Sequence, residues 1–153
     1  MNIRLIVAIA LPLAVGFVSG YATTANIPTW YAGLEKPWFN PPNWLFGPVW
    51  TLLYILMGYA SYLIFKANHP KRKAALVLYG VQLLFNFMWS IIFFHWKMID
   101  VAMAEITLLW VLINLTIVAF AGINKRAAYL LLPYVVWVSF AAILNYYILV
   151  LNT

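Results

Sequence analysis

The chain has 153 residues, of which 67% are hydrophobic and 8% charged, against about a quarter charged in an ordinary soluble domain. That balance excludes a soluble globular fold, and the length suits a single membrane domain. The lack of cysteine rules out disulfides and thiolate metal sites, and two histidines, His69 and His95, are too few for a histidine-rich metal centre. Net charge is +6, but the basic residues fall in short loops between apolar runs, a pattern of membrane topology and not of nucleic-acid binding.

Five apolar segments are long enough to cross a bilayer. The first spans 3–24. Arg4 and the apolar run after it resemble a cleaved signal peptide, yet the run outlasts a signal's apolar region, so it is read as a retained helix. Ala8, Pro12, Gly16 and Gly20 recur at four-residue steps. Gly16 and Gly20 form a GxxxG pair that permits close helix contact, within the bundle or across a dimer.

A loop over 25–44 follows. The stretch 30–54 reads WYAGLEKPWFNPPNWLFGPVWTLLY and holds four of the eight tryptophans, Trp30, Trp38, Trp44 and Trp50, with Pro37, Pro41, Pro42 and Pro48. Proline fixes its own φ and biases the residue before it toward extended geometry. The loop therefore has few accessible shapes, as a preformed lid over a ligand site requires. Membrane-interface anchoring is the ordinary role for Trp30, Tyr31, Trp38 and Trp44 taken singly, but it leaves the prolines without a reason.

The second segment, 45–65, places Phe46, Trp50, Tyr54 and Met57 on one helical face. The third, 74–94, does the same with Gln82, Asn86, Trp89, Ser90 and Phe93. The fourth, 101–121, carries Glu105, the one acid well inside a span, about a turn from Asp100 and so within reach of the interface. The fifth, 127–151, repeats Pro133, Trp137, Ala141 and Asn145 at four-residue steps. Polar groups are costly against lipid, so these stripes are expected to face inward. For Gln82, Asn114 and Asn145 the ordinary role is a hydrogen bond between helices. The functional alternative is a flat aromatic pocket with a few amides, as small-molecule sites in bundles have: Trp50 and Trp137 would stack on a planar ligand and Asn86 would hydrogen-bond it. No dyad, triad or proton relay is evident.

The predicted fold is an all-α membrane protein: a bundle of five transmembrane helices with a structured Trp/Pro-rich first loop. Arg4, Lys66, Lys71, Arg72, Lys73, Lys125 and Arg126 fall on one side, and Lys36 and Lys97 on the other. The positive-inside rule then puts the N-terminus in the cytoplasm of a bacterial cell and the lid outside.

These residues also carry a resemblance. Trp30-Tyr31, Leu34, Lys36-Pro37, Pro41-Pro42, Trp44, Pro48, Trp50 and Tyr54 are followed by Gln82-Leu83, Asn86, Trp89 and Phe93-Phe94, then by Pro133-Tyr134, Trp137, Phe140-Ala141 and Leu144-Asn145. The pattern resembles the translocator protein family, which includes the bacterial tryptophan-rich sensory proteins and the peripheral benzodiazepine receptor. The resemblance implies a homodimer in the lipid bilayer that binds protoporphyrin IX or a related tetrapyrrole, as well as drug-like ligands. It implies no required cofactor; the porphyrin is ligand or substrate. Carried over by motif, the ligand-binding residues are Tyr31, Trp50, Asn86, Trp89, Trp137 and Ala141. Trp50 and Trp137 are also the residues tied to light-dependent porphyrin degradation.

Two departures stand out. No Lys or Arg follows Asn145, where mammalian members end a cholesterol-recognition pattern, and Val77 and Val81 stand where those members have a glycine pair. Three functions follow for the chain: a porphyrin sensor or scavenger, a photo-oxidation of bound porphyrin, or a transporter or channel-like carrier of porphyrin or sterol. The last is disfavoured because the spans show no inverted repeat.

Overall fold

The computed structural model describes residues 2–153. Helix α1 runs Ile3–Asn26, α2 Asn43–Phe65, α3 Arg72–Ser90, α4 Ile99–Ala121, α5 Lys125–Leu130 and α6 Leu132–Leu151. Helix α3 continues as a π-helical turn over Ile91–His95, and α5 with α6 forms one broken span. All five spans are long and apolar enough to cross a membrane. The protein is thus an all-helical, five-span membrane bundle.

Local chemistry sets the boundaries. The Asn2 side chain accepts the Arg4 N–H at 3.0 Å and caps α1. Pro42, extended at φ −62° and ψ 146°, leads into α2. Asn124 caps α5 through the Arg126 N–H at 2.9 Å. Lys97 takes a left-handed φ of 59° between the third and fourth spans, a conformation that ends a helix and reverses the chain. In the fifth span the helix breaks at Leu131, two residues before Pro133, whose ring nitrogen cannot donate to a preceding turn. Pro133 was expected on the inward stripe. It is exposed, and its neighbour Tyr134 is 1% exposed and points into the core.

The π-turn closes with the Trp96 N–H on the Ile91 carbonyl at 2.9 Å. An extra residue in a turn shifts the register of the helix surface. Here Ile92, Phe93 and Phe94 are all buried in succession, which a regular α-helix does not readily allow.

The bundle's far end, away from the loop, is closely packed. Met57, Ala60 and Ile64 of α2 share a core with Tyr79 of α3 and Ile113 and Phe120 of α4. Helix α1 lies directly on α2 there. A Cβ on Gly58 would fall 2.5 Å from the Ile9 Cα and 2.6 Å from the Ala8 carbonyl oxygen. Pro12 lacks the N–H that would bond that Ala8 carbonyl in a regular helix. Nearer the lid, a Cβ on Gly16 would run into the Tyr54 ring, whereas one on Gly20 would meet nothing within 4 Å. Of the GxxxG pair, then, Gly16 serves contact inside the bundle and Gly20 faces open space. Val77 and Val81 are exposed on α3.

Candidate functional site: an aromatic cavity beneath the lid

The loop between α1 and α2 folds over the bundle as an ordered cover. Tyr31 begins a short 3-10 turn and is buried, with its hydroxyl donating to Asn40 Oδ1 at 2.9 Å. Burial pushes that hydroxyl up to about 12, so it stays a neutral donor at any physiological pH. Lys36 Nζ donates to the carbonyls of Tyr31 at 2.8 Å and Leu34 at 2.9 Å, and lies 4.8 Å from the Tyr31 ring centre. Asn152, at the end of α6, clasps the loop from the other side. Its Oδ1 accepts the Glu35 N–H at 3.0 Å, and its Nδ2 donates to the Glu35 carbonyl at 2.9 Å. Phe39 packs edge-on against Phe140 and Tyr147.

Under this cover lies a cavity of about 1090 Å³. That is slightly above the range of about 300–1,000 Å³ usual for small-molecule sites. One wall is α1, with Ser19, Gly20 and Thr23. Facing it are Trp50 and Tyr54 of α2, Trp89 with Phe93 and Phe94 from the third span, and Trp137, Ala141 and Asn145 of α6. The mouth lies between the lid-end halves of α1 and α2, where Thr24, Trp44, Gly47 and Thr51 are exposed and border the space. A Cβ on Gly47, like one on Gly20, would meet nothing within 4 Å.

The aromatic rings brace one another. Trp50 stacks on Tyr54 with centroids 5.5 Å apart, and stands at 87° to Trp137 at 6.5 Å. Trp89 stacks on Phe93 at 5.1 Å, and Trp30 closes on the same Phe93 from above, edge-on at 5.6 Å. Trp89 Nε1 donates to Asn145 Oδ1 at 3.0 Å, while Asn145 Nδ2 reaches the Ile99 carbonyl at 3.2 Å. Fixed rings present flat surfaces without an ordering cost when a planar guest arrives.

Of the six residues read from the sequence as ligand-binding, Tyr31, Trp50, Trp89, Trp137 and Ala141 all border this cavity. Asn86 stands behind it. Its Oδ1 accepts from the Tyr54 hydroxyl at 2.6 Å, and its Nδ2 donates to the Tyr134 hydroxyl at 2.9 Å. Tyr134 in turn donates to Gln82 Oε1 at 2.7 Å. This buried ladder ties α2, α3 and α6 together and holds Tyr54 against the cavity wall. Gln82 and Asn145 make the expected bonds between helices. Asn114 does not: it donates to the Trp110 carbonyl of its own helix at 2.9 Å. Glu105, close enough to Asp100 in sequence to be within reach of the interface, is 8% exposed, and neither carboxylate oxygen has a hydrogen-bond partner among the described residues. It lies on the same face of α4 as Ala102, Ile106 and Leu109, which turns it into the bundle.

Sequence reasoning missed the α1 wall. Ser19 and Thr23 look like incidental small residues in an apolar run, and only their i, i+4 spacing hinted at a shared face. The burial of Phe94 directly after Phe93 was also hidden, because a π-turn leaves no simple periodic signal.

Fold and cavity together define a polytopic helical membrane protein with a lidded, aromatic-walled cavity. The TspO/MBR family model matches residues 8–151, and the chain belongs to that family. It is 42% identical over 153 residues to the "Tryptophan-rich protein TspO" of Archaeoglobus fulgidus, covering 99% of each chain. It is 42% identical over 120 residues to the human "Translocator protein", covering 76% of this chain and 71% of that one. Against the "Tryptophan-rich sensory protein" of Cereibacter sphaeroides the identity is 37% over 123 residues, covering 80% and 77%.

Proposed function

We propose that the protein binds a tetrapyrrole such as protoporphyrin IX, or a drug-like planar ligand of similar chemistry, in the cavity beneath the lid. The observation that carries this reading is a large space walled by Trp50, Trp89, Trp137, Tyr31 and Phe93. Flat aromatic guests gain dispersion and stacking there, and a macrocycle needs a space of this size. Ala141 leaves room for the guest's edge, and Asn86 acts as a positioning residue by holding the Tyr54 hydroxyl.

The same reading extends to light-dependent breakdown of the bound porphyrin, which the indoles on the cavity wall support. An excited porphyrin held against Trp50 or Trp137 is within contact distance of an oxidisable indole, and dioxygen supplies the terminal oxidant. No acid–base group is needed. The seven basic residues at the far end, Arg4, Lys66, Lys71, Arg72, Lys73, Lys125 and Arg126, support a cytoplasmic N-terminus with the lid outside.

The test is an absorption titration of protoporphyrin IX in the dark, then under light in air. A saturable shift followed by protein-dependent bleaching supports both parts. A shift with bleaching no faster than free porphyrin leaves binding alone. No saturable shift would remove the tetrapyrrole reading.

A further inference from the structure

The far end of the bundle carries charge that no side chain beside it balances. Arg4, Lys66, Lys71, Arg72, Lys73, Lys125 and Arg126 are all exposed there. The three acids lie elsewhere: Glu35 in the lid, Asp100 in the first turn of α4 at the lid end, and Glu105 inside the fourth span. Lys71, Arg72 and Lys73 also open α3, where the helix dipole disfavours cations. Like charges gathered without a counter-charge repel one another. Membrane topology explains why basic residues collect at one end. It does not explain where their side chains are held.

Three of them are held on aromatic rings. The guanidinium carbons of Arg4 and Arg72 stand 5.7 Å and 5.9 Å from the centre of the same Phe65 ring, and Lys66 Nζ stands 5.3 Å from the centre of the Tyr62 ring. These residues come from the start of α1, the end of α2 and the start of α3. The fold fixes their meeting. Asn2 Nδ2 donates to the Tyr62 hydroxyl, and Gly58 seats α1 directly on α2 further in. A ring face attracts a cation without consuming its N–H donors. Arg72 Nη1 donates to the Phe65 and Ala67 carbonyls at 3.0 Å and 3.3 Å, which leaves its remaining N–H groups for a partner. The Arg4 guanidinium donates no hydrogen bond among the described residues. Phe65, Ile3 and Val7 add exposed apolar surface at the same end.

We infer that this end binds an anionic membrane phospholipid, with its phosphate held by the Arg4 and Arg72 guanidiniums and its acyl chains along Ile3, Val7 and Phe65. Guanidinium matches phosphate oxygens with paired N–H donors. A zwitterionic headgroup brings its own cation to the cluster and is disfavoured. A free phosphate ion has no chains to hold it beside Phe65. The inference stands apart from the tetrapyrrole reading, since none of these residues borders the cavity.

The test titrates the whole protein in detergent micelles with phosphatidylglycerol or with phosphatidylcholine of the same chains, read by native mass spectrometry. The first phosphatidylglycerol should bind at least about tenfold more tightly than phosphatidylcholine. Arg4→Gln/Arg72→Gln should weaken phosphatidylglycerol at least about tenfold and leave phosphatidylcholine within about twofold. Lys125→Gln/Arg126→Gln removes equal charge from the start of α5, off the Phe65 ring, and should weaken phosphatidylglycerol less than about threefold. Equal losses in the two double variants would mean a diffuse field in place of a site, and would overturn the inference. So would phosphatidylcholine bound as tightly as phosphatidylglycerol. Sodium phosphate that displaces the lipid more than sodium chloride of equal ionic strength would assign the cluster to free phosphate and overturn it as well. Because Arg72 also holds the end of α2, a misfolded double variant leaves the decision to Arg4→Gln alone. Phosphatidylglycerol bound about fivefold more weakly, with an unchanged melting curve, upholds the site; unchanged binding overturns it.

Discussion

The two halves of the α1–α2 contact are built on opposite rules. At the far end the helices meet backbone to backbone, with Gly58 against Ile9 and the Ala8 carbonyl. At the lid end Gly20 and Gly47 face open space, and the gap between the helices is the mouth of the cavity. Glycine thus does two jobs in one helix pair. At Gly58 it is required because nothing larger fits; at Gly20 and Gly47 its lack of a side chain widens an opening. The contrast separates what holds the bundle together from what opens the cavity.

The largest expected effect is at the closed end. Gly58→Ala should destabilise the protein by about 3 kcal/mol, the upper end of overpacking costs, because the atoms it meets are backbone and cannot swing aside. Thermal unfolding in nanodiscs measures this, and a wild-type melting curve would mean the close approach contributes nothing.

Next comes the buried ladder that joins the two halves. Tyr134→Phe removes the acceptor for Asn86 Nδ2 and the donor for Gln82 Oε1. A loss of about 2–3 kcal/mol is expected, since buried polar groups are left unpaired. Tyr54→Phe breaks one bond and should cost about half as much. Equal losses for the two variants would contradict the ladder.

At the open end, Trp50→Phe and Trp137→Phe should keep stability and hold porphyrin affinity within about threefold, since a ring face remains. Photobleaching should slow in both, because phenylalanine is far harder to oxidise than indole. Bleaching at the wild-type rate in the double variant would assign the photochemistry elsewhere.

The smallest effect is at the mouth itself. Gly20→Ala and Gly47→Ala should be neutral or stabilising by up to about 1 kcal/mol, through helix propensity with no clash. A marked loss at either would mean that the space is filled in the working protein, for instance by a second copy of the chain.

Much of this arrangement was legible in the sequence, for physical reasons. Five spans follow from apolar length alone, because a bilayer sets a fixed thickness. Trp50, Trp89, Trp137 and Ala141 fall on inward faces because helical spacing and the cost of polar groups in lipid both point them there. The ladder was half visible: Gln82 and Asn86 announced a polar stripe, but the inward stripe of the fifth span was expected to include Pro133, and the residue that meets them is Tyr134. Both residues lie in α6, and a step of three from Tyr134 to Trp137 shares a helical face as readily as a step of four from Pro133, so spacing alone does not choose between them. Asn86 looked like a ligand donor because amides at helical spacing are the same on paper whether they face a cavity or a neighbouring tyrosine. The wall formed by α1 was invisible, since its lining residues are small and their hydroxyls bond back to their own helix. What shaped that wall was the crossing of two helices, a tertiary fact.

The most direct test asks whether the ligand sits inside the bundle or on the exposed aromatics of the lid. Trp38 is 94% exposed and does not line the cavity, whereas Ala141 and Trp137 both border it. Protoporphyrin IX binding would be measured for Ala141→Trp and Trp38→Ala in folded, nanodisc-embedded protein. The cavity account predicts that Ala141→Trp weakens binding at least about tenfold while Trp38→Ala changes it little. Binding that survives Ala141→Trp and fails in Trp38→Ala would place the ligand on the surface and contradict the account.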